Sequence, residues 1–197
     1  MRTLLVTTIL LSGLLLGSAR ALAADGVVEG LLPPEQRGQI EVVYVEHAGG
    51  DFKPATAVMD QRNLAYVPHV LPVLSGTTVR FQSHDRELHN VFARGPDHRV
   101  LFNLAVLPHM QMEETFKTLG VTTLTCNVHK TMLAYVLVLQ NPYFAVPDAG
   151  GRWRIRLPAG RYVIRSWGEQ LDDGALARGF PVEVAAGGDS RVTFPSP

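Results

Sequence analysis

The fold of this 197-residue chain is predicted from seven residues, Cys126-Asn127-Val128-His129-Lys130-Thr131-Met132. A thiol, an imidazole and a thioether follow one another at intervals of three residues, and these soft and borderline groups are ligands that suit copper. Both flanks, 121–125 and 133–139, are rich in β-branched and aromatic residues, as is typical of strands. The pattern predicts a short loop between two strands, where a rigid sheet fixes the positions of the ligands.

A further ligand is offered by a second apolar segment, Leu88-His89-Asn90-Val91-Phe92. Two histidines, one cysteine and a weak axial methionine are the composition of a blue-copper electron-transfer site. The two segments together therefore indicate one mononuclear copper centre.

The motifs His89-Asn90-Val91 and Cys126-x-x-His129-x-x-Met132 resemble those of the cupredoxin family, in its plastocyanin and amicyanin branch. The resemblance implies a Greek-key β-sandwich with one type 1 copper ion bound by His89, Cys126, His129 and Met132. It also implies that Asn90 ties the two ligand loops together by hydrogen bonds.

The same resemblance implies that His129 is the port through which electrons pass, with apolar docking residues such as Leu107, Pro108 and Met110 around it. The sequence departs from the family at Ser83-His84-Asp85, where an Asn-x-Asp pattern is common. We expect this departure to affect loop geometry more than metal binding.

The first 23 residues have the features of an export signal. Arg2 is followed by the apolar run 4–16 and by the small-x-small cleavage site Ala21-Leu22-Ala23. The run is too short to span a bilayer, and no later stretch reaches that length. We expect a soluble, periplasmic mature chain. Since exported cysteines usually pair, the single Cys126 is better explained as a metal ligand than as an inert buried thiol.

Strand signals fill the rest of the chain, which predicts an all-β fold. Segments of alternating or β-branched character occur at 26–31, 38–46, 66–74, 77–81, 88–92, 102–104, 114–116, 121–125, 133–139 and 152–164. Residues 48–63 are interpreted as a connecting loop, and Val182–Val184 with Val192–Phe194 as a final hairpin. The prolines at 68 and 72 confine the 66–74 segment to an edge or irregular strand.

The last third of the chain, from Asp148 to Tyr162, resembles the carboxypeptidase-regulatory-like (transthyretin-like) β-sandwich, whose first strands correspond to residues 26–46. The resemblance implies a discontinuous sandwich of residues 24–52 and 141–197, with the copper-binding domain, residues 53–140, inserted in it. A single cupredoxin with strand extensions at both ends is the simpler alternative.

The leading hypothesis for function is an electron carrier, not an enzyme, that serves periplasmic or membrane-associated redox proteins. A copper chaperone or storage protein without redox turnover is the alternative. The 18 basic and 18 acidic residues give no basic face for nucleic acid. A multicopper oxidase or reductase site needs His-x-His pairs and a binuclear centre needs two cysteines, and the sequence has neither.

The other polar motifs have simpler interpretations. His47, His84 and His98 are interpreted as solvated side chains, and His69 as a packed or hydrogen-bonded one. The segment His109-Met110-Gln111-Met112 is interpreted as an apolar loop rather than a Cu(I) site, although thioethers are soft ligands. The arginines at 152, 154 and 156 are interpreted as a solvated strand face, and Trp153 and Trp167 as core or interface residues.

Overall fold

The computed structural model describes residues 24–195, and its architecture is all-β, which confirms the predicted fold class. Within these residues the regular structure is sixteen strands, the 3-10 turn Pro34–Gln36 and the short helix α1 (Asp173–Ala177). The strands are β1 (Gly26–Leu31), β2 (Val42–Val45), β3 (Thr56–Arg62), β4 (Ala65–Val67), β5 (Val70–Leu74), β6 (Thr77–Ser83), β7 (His89–Arg94), β8 (Val100–Val106), β9 (Gln111–Phe116), β10 (Gly120–Thr125), β11 (Leu133–Leu139), β12 (Phe144–Ala145), β13 (Arg152–Leu157), β14 (Gly160–Trp167), β15 (Phe180–Val184) and β16 (Asp189–Arg191).

Two sheets built from residues 56–139 share one core. Their strand orders are β5-β11-β10-β7-β8 and β4-β3-β6-β9. Strand β6 shows why they pack: Thr77, Val79, Phe81 and Ser83 are buried and the residues between them are half-buried. This period of two places one face of the strand on the core. The shared core contains Phe81, Leu124, Cys126 and Met132, among others.

The other two sheets are built from segments at both ends of the described chain. Their strand orders are β13-β1-β16 and β12-β2-β14-β15. In β13, Trp153, Ile155 and Leu157 are buried and the three arginines that alternate with them are exposed, as the sequence predicts. These residues enclose a second core. The four sheets therefore separate residues 56–139 from the segments on either side, while the domain limits given above stay a prediction.

The two pairs of sheets pack against each other along β11, which is buried on both faces. One face of this strand supplies Ala134, Val136 and Val138 to the first core. The opposite face belongs to a third cluster, between the pairs, that consists of Val42, Val70, Leu137, Leu139 and Trp167. A strand covered on both faces has no solvated side, which explains the nearly continuous apolar run of β11.

Two of the predicted elements are wrong. Residues 56–62 are strand β3 and not part of a loop; the polar residues Asp60 and Gln61, both buried, conceal its alternation in the sequence. The last two strands do not form a hairpin. Instead, β15 pairs with β14, whereas β16 lies parallel to β1 in the other sheet. The prediction of an edge or irregular strand at 66–74 is confirmed, since the segment is interrupted between β4 and β5, and each of these strands ends a different sheet.

The predicted export signal lies outside the described residues. Among residues 24–195, none of the helices has the length and apolar character needed to cross a membrane.

Candidate metal centre

Two loops at one end of the five-stranded sheet bring the predicted ligands together. His89 begins β7, and the loop from Cys126 to Met132 joins β10 to β11. Strand β10 pairs with both β7 and β11, so the two loops are neighbours. Within the longer loop, the N–H of Cys126 donates to the carbonyl of Met132 (3.3 Å) and the N–H of Met132 donates to the carbonyl of His129 (3.1 Å). These hydrogen bonds keep the loop compact.

The donor atoms of His89, Cys126 and His129 form one cluster. Their side-chain nitrogens and sulfur all lie within 4.8 Å of one another. The two Nδ1 atoms of the histidines are 3.0 Å apart. His89 and Cys126 are buried and His129 is half-buried. Donors that share one ion at about 2.0–2.3 Å lie no more than about 4.5 Å apart, so the cluster is close to the size of a site for one ion.

Met132 ends the same loop and is almost completely buried. It belongs to the same apolar cluster as Cys126. The donor set consists of a buried thiolate, two imidazoles and a neighbouring thioether, and it fits copper better than zinc. Zinc sites are usually built from thiolate, imidazole and carboxylate ligands, without a thioether. Three of the four residues that the sequence predicts as ligands thus form one cluster, and Met132 ends the loop that contains two of them.

His89 is oriented by the carboxylate of Asp85. Its Nε2 lies 2.9 Å from Oδ2 of Asp85. An ionised carboxylate only accepts hydrogen bonds, so the ring proton of neutral His89 belongs on Nε2. The Nδ1 atom of His89 therefore presents its lone pair to the cluster, which is the form in which an imidazole binds a metal.

Asp85 is itself held by the tight turn between β3 and β4. The N–H groups of Asn63 and Leu64 donate to its carboxylate at 2.7 and 3.0 Å. Both turn residues have positive φ, 54° and 56°, which suits a two-residue hairpin loop but is unusual for leucine. Burial raises the pKa of the Asp85 carboxyl, but the hydrogen bonds from Leu64, Asn63 and His89 outweigh it and hold the pKa below its usual value of 3.8.

Asn90 joins the two loops. Its side-chain oxygen accepts a hydrogen bond from the N–H of Asn127 (2.6 Å), and its side-chain nitrogen donates to Asn103 Oδ1 (2.6 Å). The hydroxyl of Tyr66 donates to the carbonyl of Asn90 at 2.6 Å. Burial and, in second place, the nearby Cys126 raise the pKa of Tyr66, so its hydroxyl stays protonated and continues to donate.

The remaining histidines lie outside the cluster. His69 is hydrogen-bonded, as expected, to the carbonyl of Leu133 and to Glu169. His47, His84 and His98 are exposed, as expected, and Nδ1 of His84 also lies 2.7 Å from Asp60 Oδ1. In the His109–Met112 segment, His109 and Met110 are exposed and Met112 packs against the first core. No second group of three or more histidine, cysteine and acidic side chains that could hold a metal occurs in residues 24–195.

The sequence motifs do not predict the residues that support the cluster. The motif Ser83-His84-Asp85 predicts an effect of Asp85 on loop geometry only, and no motif indicates a role for Tyr66 or Asn103. The sequence feature that could have indicated Asp85 is its position four residues before His89. At this spacing its carboxylate can contact the imidazole ring of His89. Tyr66 and Asn103 lie 24 and 13 residues from Asn90, and no local pattern connects them.

Comparison with known proteins shows a similarity to cupredoxins over part of the chain. No protein-family model matches, and no curated protein matches. A purple cupredoxin from Nitrosopumilus maritimus is 25% identical over 42% of this chain and 98% of its own, with a TM-score of 0.38. Amicyanin from Paracoccus versutus is 20% identical over 42% of this chain and 80% of its own, with a TM-score of 0.39.

A copper-containing nitrite reductase from Thermus scotoductus is 21% identical over 50% of this chain but only 25% of its own, with a TM-score of 0.39. TM-scores this low carry no argument about function. The function is therefore inferred from the side chains described above.

Proposed function

We propose that this protein is a type 1 (blue) copper protein that carries single electrons between redox partners, with His89, Cys126, His129 and Met132 as its copper ligands. The observation that carries the proposal is the cluster of His89, Cys126 and His129, whose donor atoms lie within 4.8 Å of one another. A bound copper ion would supply a one-electron couple between its cuprous and cupric states, and this donor set suits both.

The surroundings of the cluster favour electron transfer over metal exchange. His89, Cys126 and Met132 are at most 3% exposed, which keeps water and competing ligands away. Asp85 and Asn90 hold the two loops in one arrangement, so the donors need little rearrangement when the charge of the ion changes. A chaperone, the alternative function, would need an accessible and exchangeable ion. The burial of three of the four ligands is evidence against that alternative.

An apolar surface beside His129 supports docking of a redox partner at this end. Val128 is 52% exposed next to the half-buried His129. Leu88 and Leu107, 46% and 48% exposed, lie beside each other, because His89 pairs with Val106 in antiparallel strands. Exposed apolar groups placed together are typical of interaction sites. We call Val128, Leu88 and Leu107 the apolar end; only Leu107 was predicted from the sequence.

The wider setting belongs to the same proposal. The predicted export signal supports a periplasmic location, and the partners would be periplasmic or membrane-associated redox proteins. The copper-binding domain would be inserted in a second β-sandwich, consistent with the separate cores described above. We propose no enzymatic activity. A binuclear centre would need two cysteines, and the sequence has only Cys126.

Voltammetry of the copper-loaded protein tests the carrier function. We expect a reversible one-electron couple with copper retained in both oxidation states. Release of copper on reduction would contradict the carrier function and favour the chaperone. We expect Val128→Asp to slow electron exchange without changing the potential. The matched control is Val100→Asp, which is equally exposed at 51% but lies at the far end of β8 from Val106.

A further inference from the structure

Gln61 is a polar side chain in a place where the fold calls for an apolar one. In β3, Met59 and Gln61 point into the first core, and Gln61 is 0% exposed. Neither Oε1 nor Nε2 of Gln61 has a hydrogen-bond partner among residues 24–195. An unpaired buried amide is costly, and an aliphatic side chain of the same size would remove that cost. The structure of the first core therefore does not explain why glutamine occupies this position.

The location of Gln61 connects it to the metal centre. Its neighbours across the sheet are Tyr66 on β4 and Ser83 on β6. Residues directly opposite in a sheet point to the same face, so all three side chains point inwards. The Tyr66 hydroxyl donates to the carbonyl of Asn90, and the Ser83 hydroxyl accepts from the N–H of Asp85 (3.3 Å). Both neighbours of Gln61 thus contact residues that adjoin or hydrogen-bond His89.

The same layer of the core also reaches the longer ligand loop. Met59, two residues before Gln61 and on the same face, belongs to the buried cluster that contains Cys126 and Met132. Gln61 follows Met59 on this face and lies beside Tyr66 and Ser83, whose hydroxyls contact Asn90 and the N–H of Asp85. A carboxamide oxygen that is buried without a protein partner can be satisfied by a cation, and glutamine oxygen is one of the weak axial groups found at blue-copper sites.

We propose that the carboxamide of Gln61 belongs to the copper centre and turns its oxygen towards the bound ion, stabilising the cupric state. This inference rests on the proposed function. The side chain acts as a polar partner that is satisfied when the ion is bound. It adds a group to the four ligands implied by the sequence motifs.

The test compares Gln61→Leu with the control Met59→Leu, which changes the neighbouring position on the same stripe at nearly constant volume. We expect the copper-free Gln61→Leu protein to unfold at the same temperature as the wild type or higher. Its affinity for Cu(II), measured with copper sulfate and a competing chelator, should fall about 10-fold or more. Its reduction potential should rise, because Cu(II) loses more stabilisation than Cu(I). Met59→Leu should change neither the affinity nor the potential.

The inference is wrong if Gln61→Leu retains the Cu(II) affinity and potential of the wild type. It is also wrong if the potential falls, since that would mean that the amide donates to the thiolate instead. A lower unfolding temperature of the copper-free variant would contradict it too, by indicating a structural partner. If Gln61→Leu does not fold, Gln61→Ile provides the same comparison, because it also has no atom that can bind copper. A wild-type protein that gives no blue copper complex would contradict the proposed function, whereas a blue wild type matched by the variant contradicts only the role of Gln61.

Discussion

Asp85 accepts a hydrogen bond from Nε2 of His89 at 2.9 Å, and this contact fixes which nitrogen of the ring faces the cluster. The same carboxylate accepts the N–H groups of Asn63 and Leu64, two residues of a turn in the opposite sheet. The orientation of the His89 ring on β7 therefore depends on the hairpin turn between β3 and β4. In metal sites, supporting hydrogen bonds of this kind orient the ligands.

Asp85→Asn should raise the reduction potential of the copper-loaded protein and weaken Cu(II) binding by about 10- to 100-fold. An amide carries no negative charge, so His89 becomes a poorer donor and the cupric state loses more than the cuprous state. Voltammetry and a chelator competition measure the two effects. Asp97→Asn, a change at an exposed carboxylate with a side-chain exposure of 61%, is the control. An unchanged potential in Asp85→Asn would show that the carboxylate has no influence on the ligand.

His129→Ala should open the metal site to small external ligands. His129 is the half-buried member of the cluster, so its removal leaves a gap that solvent can reach. We expect the absorption spectrum of the copper-loaded variant to change when imidazole is added and to return towards that of the wild type. His109→Ala, at an exposed histidine outside the cluster, should give a protein that does not respond to imidazole. A response in both variants, or in neither, would contradict the assignment of His129.

Tyr66→Phe should lower the free energy of unfolding by about 1–3 kcal/mol, because the buried carbonyl of Asn90 loses the hydrogen bond that the tyrosine hydroxyl donates at 2.6 Å. Denaturant unfolding of the copper-free protein measures this loss. The control is Tyr162→Phe, which removes an exposed hydrogen bond to the carbonyl of Pro158 and should cost less than about 0.5 kcal/mol. Equal losses in the two variants would show that the buried hydrogen bond of Tyr66 stabilises the fold no more than the exposed one of Tyr162.

Glu169 links the two pairs of sheets through hydrogen bonds with His69 and Tyr135, and the stability that these bonds provide depends on pH. Hydrogen bonds from His69 and then Tyr135 lower the pKa of its carboxyl from the usual value of 4.5, and burial opposes them. A carboxyl whose pKa is lower in the folded state stabilises the protein above pH 4.5, and this contribution is lost as the pH falls through the folded-state pKa. Because His69 and Glu169 are both partly exposed, we expect a contribution of about 1 kcal/mol or less.

Unfolding titrations of Glu169→Gln at several pH values measure that contribution. The wild type should be more stable than the variant at neutral pH, and the difference should shrink on acidification below pH 4.5. Glu183→Gln, at a surface ion pair with a side-chain exposure of 74%, is the control. A stability difference that does not depend on pH would contradict the connection between Glu169 and His69.

The cluster of His89, Cys126 and His129 could be predicted because the motifs that contain these residues are local. Cys126, His129 and Met132 share one loop, and His89 lies in a short apolar segment with its own recognisable motif. The all-β fold followed from the alternation in strands such as β6 and β13. These features depend on neighbouring residues, which the sequence displays directly.

The supporting contacts could not be predicted, because they join residues that are distant in the chain. Asn63 and Asp85 are 22 residues apart, and the sequence does not show that a turn in one sheet donates to a carboxylate beside the other. The sequence predicts a loop where strand β3 lies, because polar residues occupy buried positions of this strand, Gln61 among them. Strand β16 pairs with β1 rather than with the preceding strand, a long-range choice that no turn signal reveals.

The most direct test of the proposed copper centre is the absorption and EPR spectrum of the protein loaded with one equivalent of Cu(II), measured beside Cys126→Ala. We expect an intense visible thiolate-to-copper band in the wild type that disappears on reduction and returns on reoxidation. We expect Cys126→Ala to keep the β fold, by circular dichroism, and to lack the band. A wild-type spectrum without the band, or a Cys126→Ala spectrum identical to that of the wild type, would contradict the assignment of a blue copper centre.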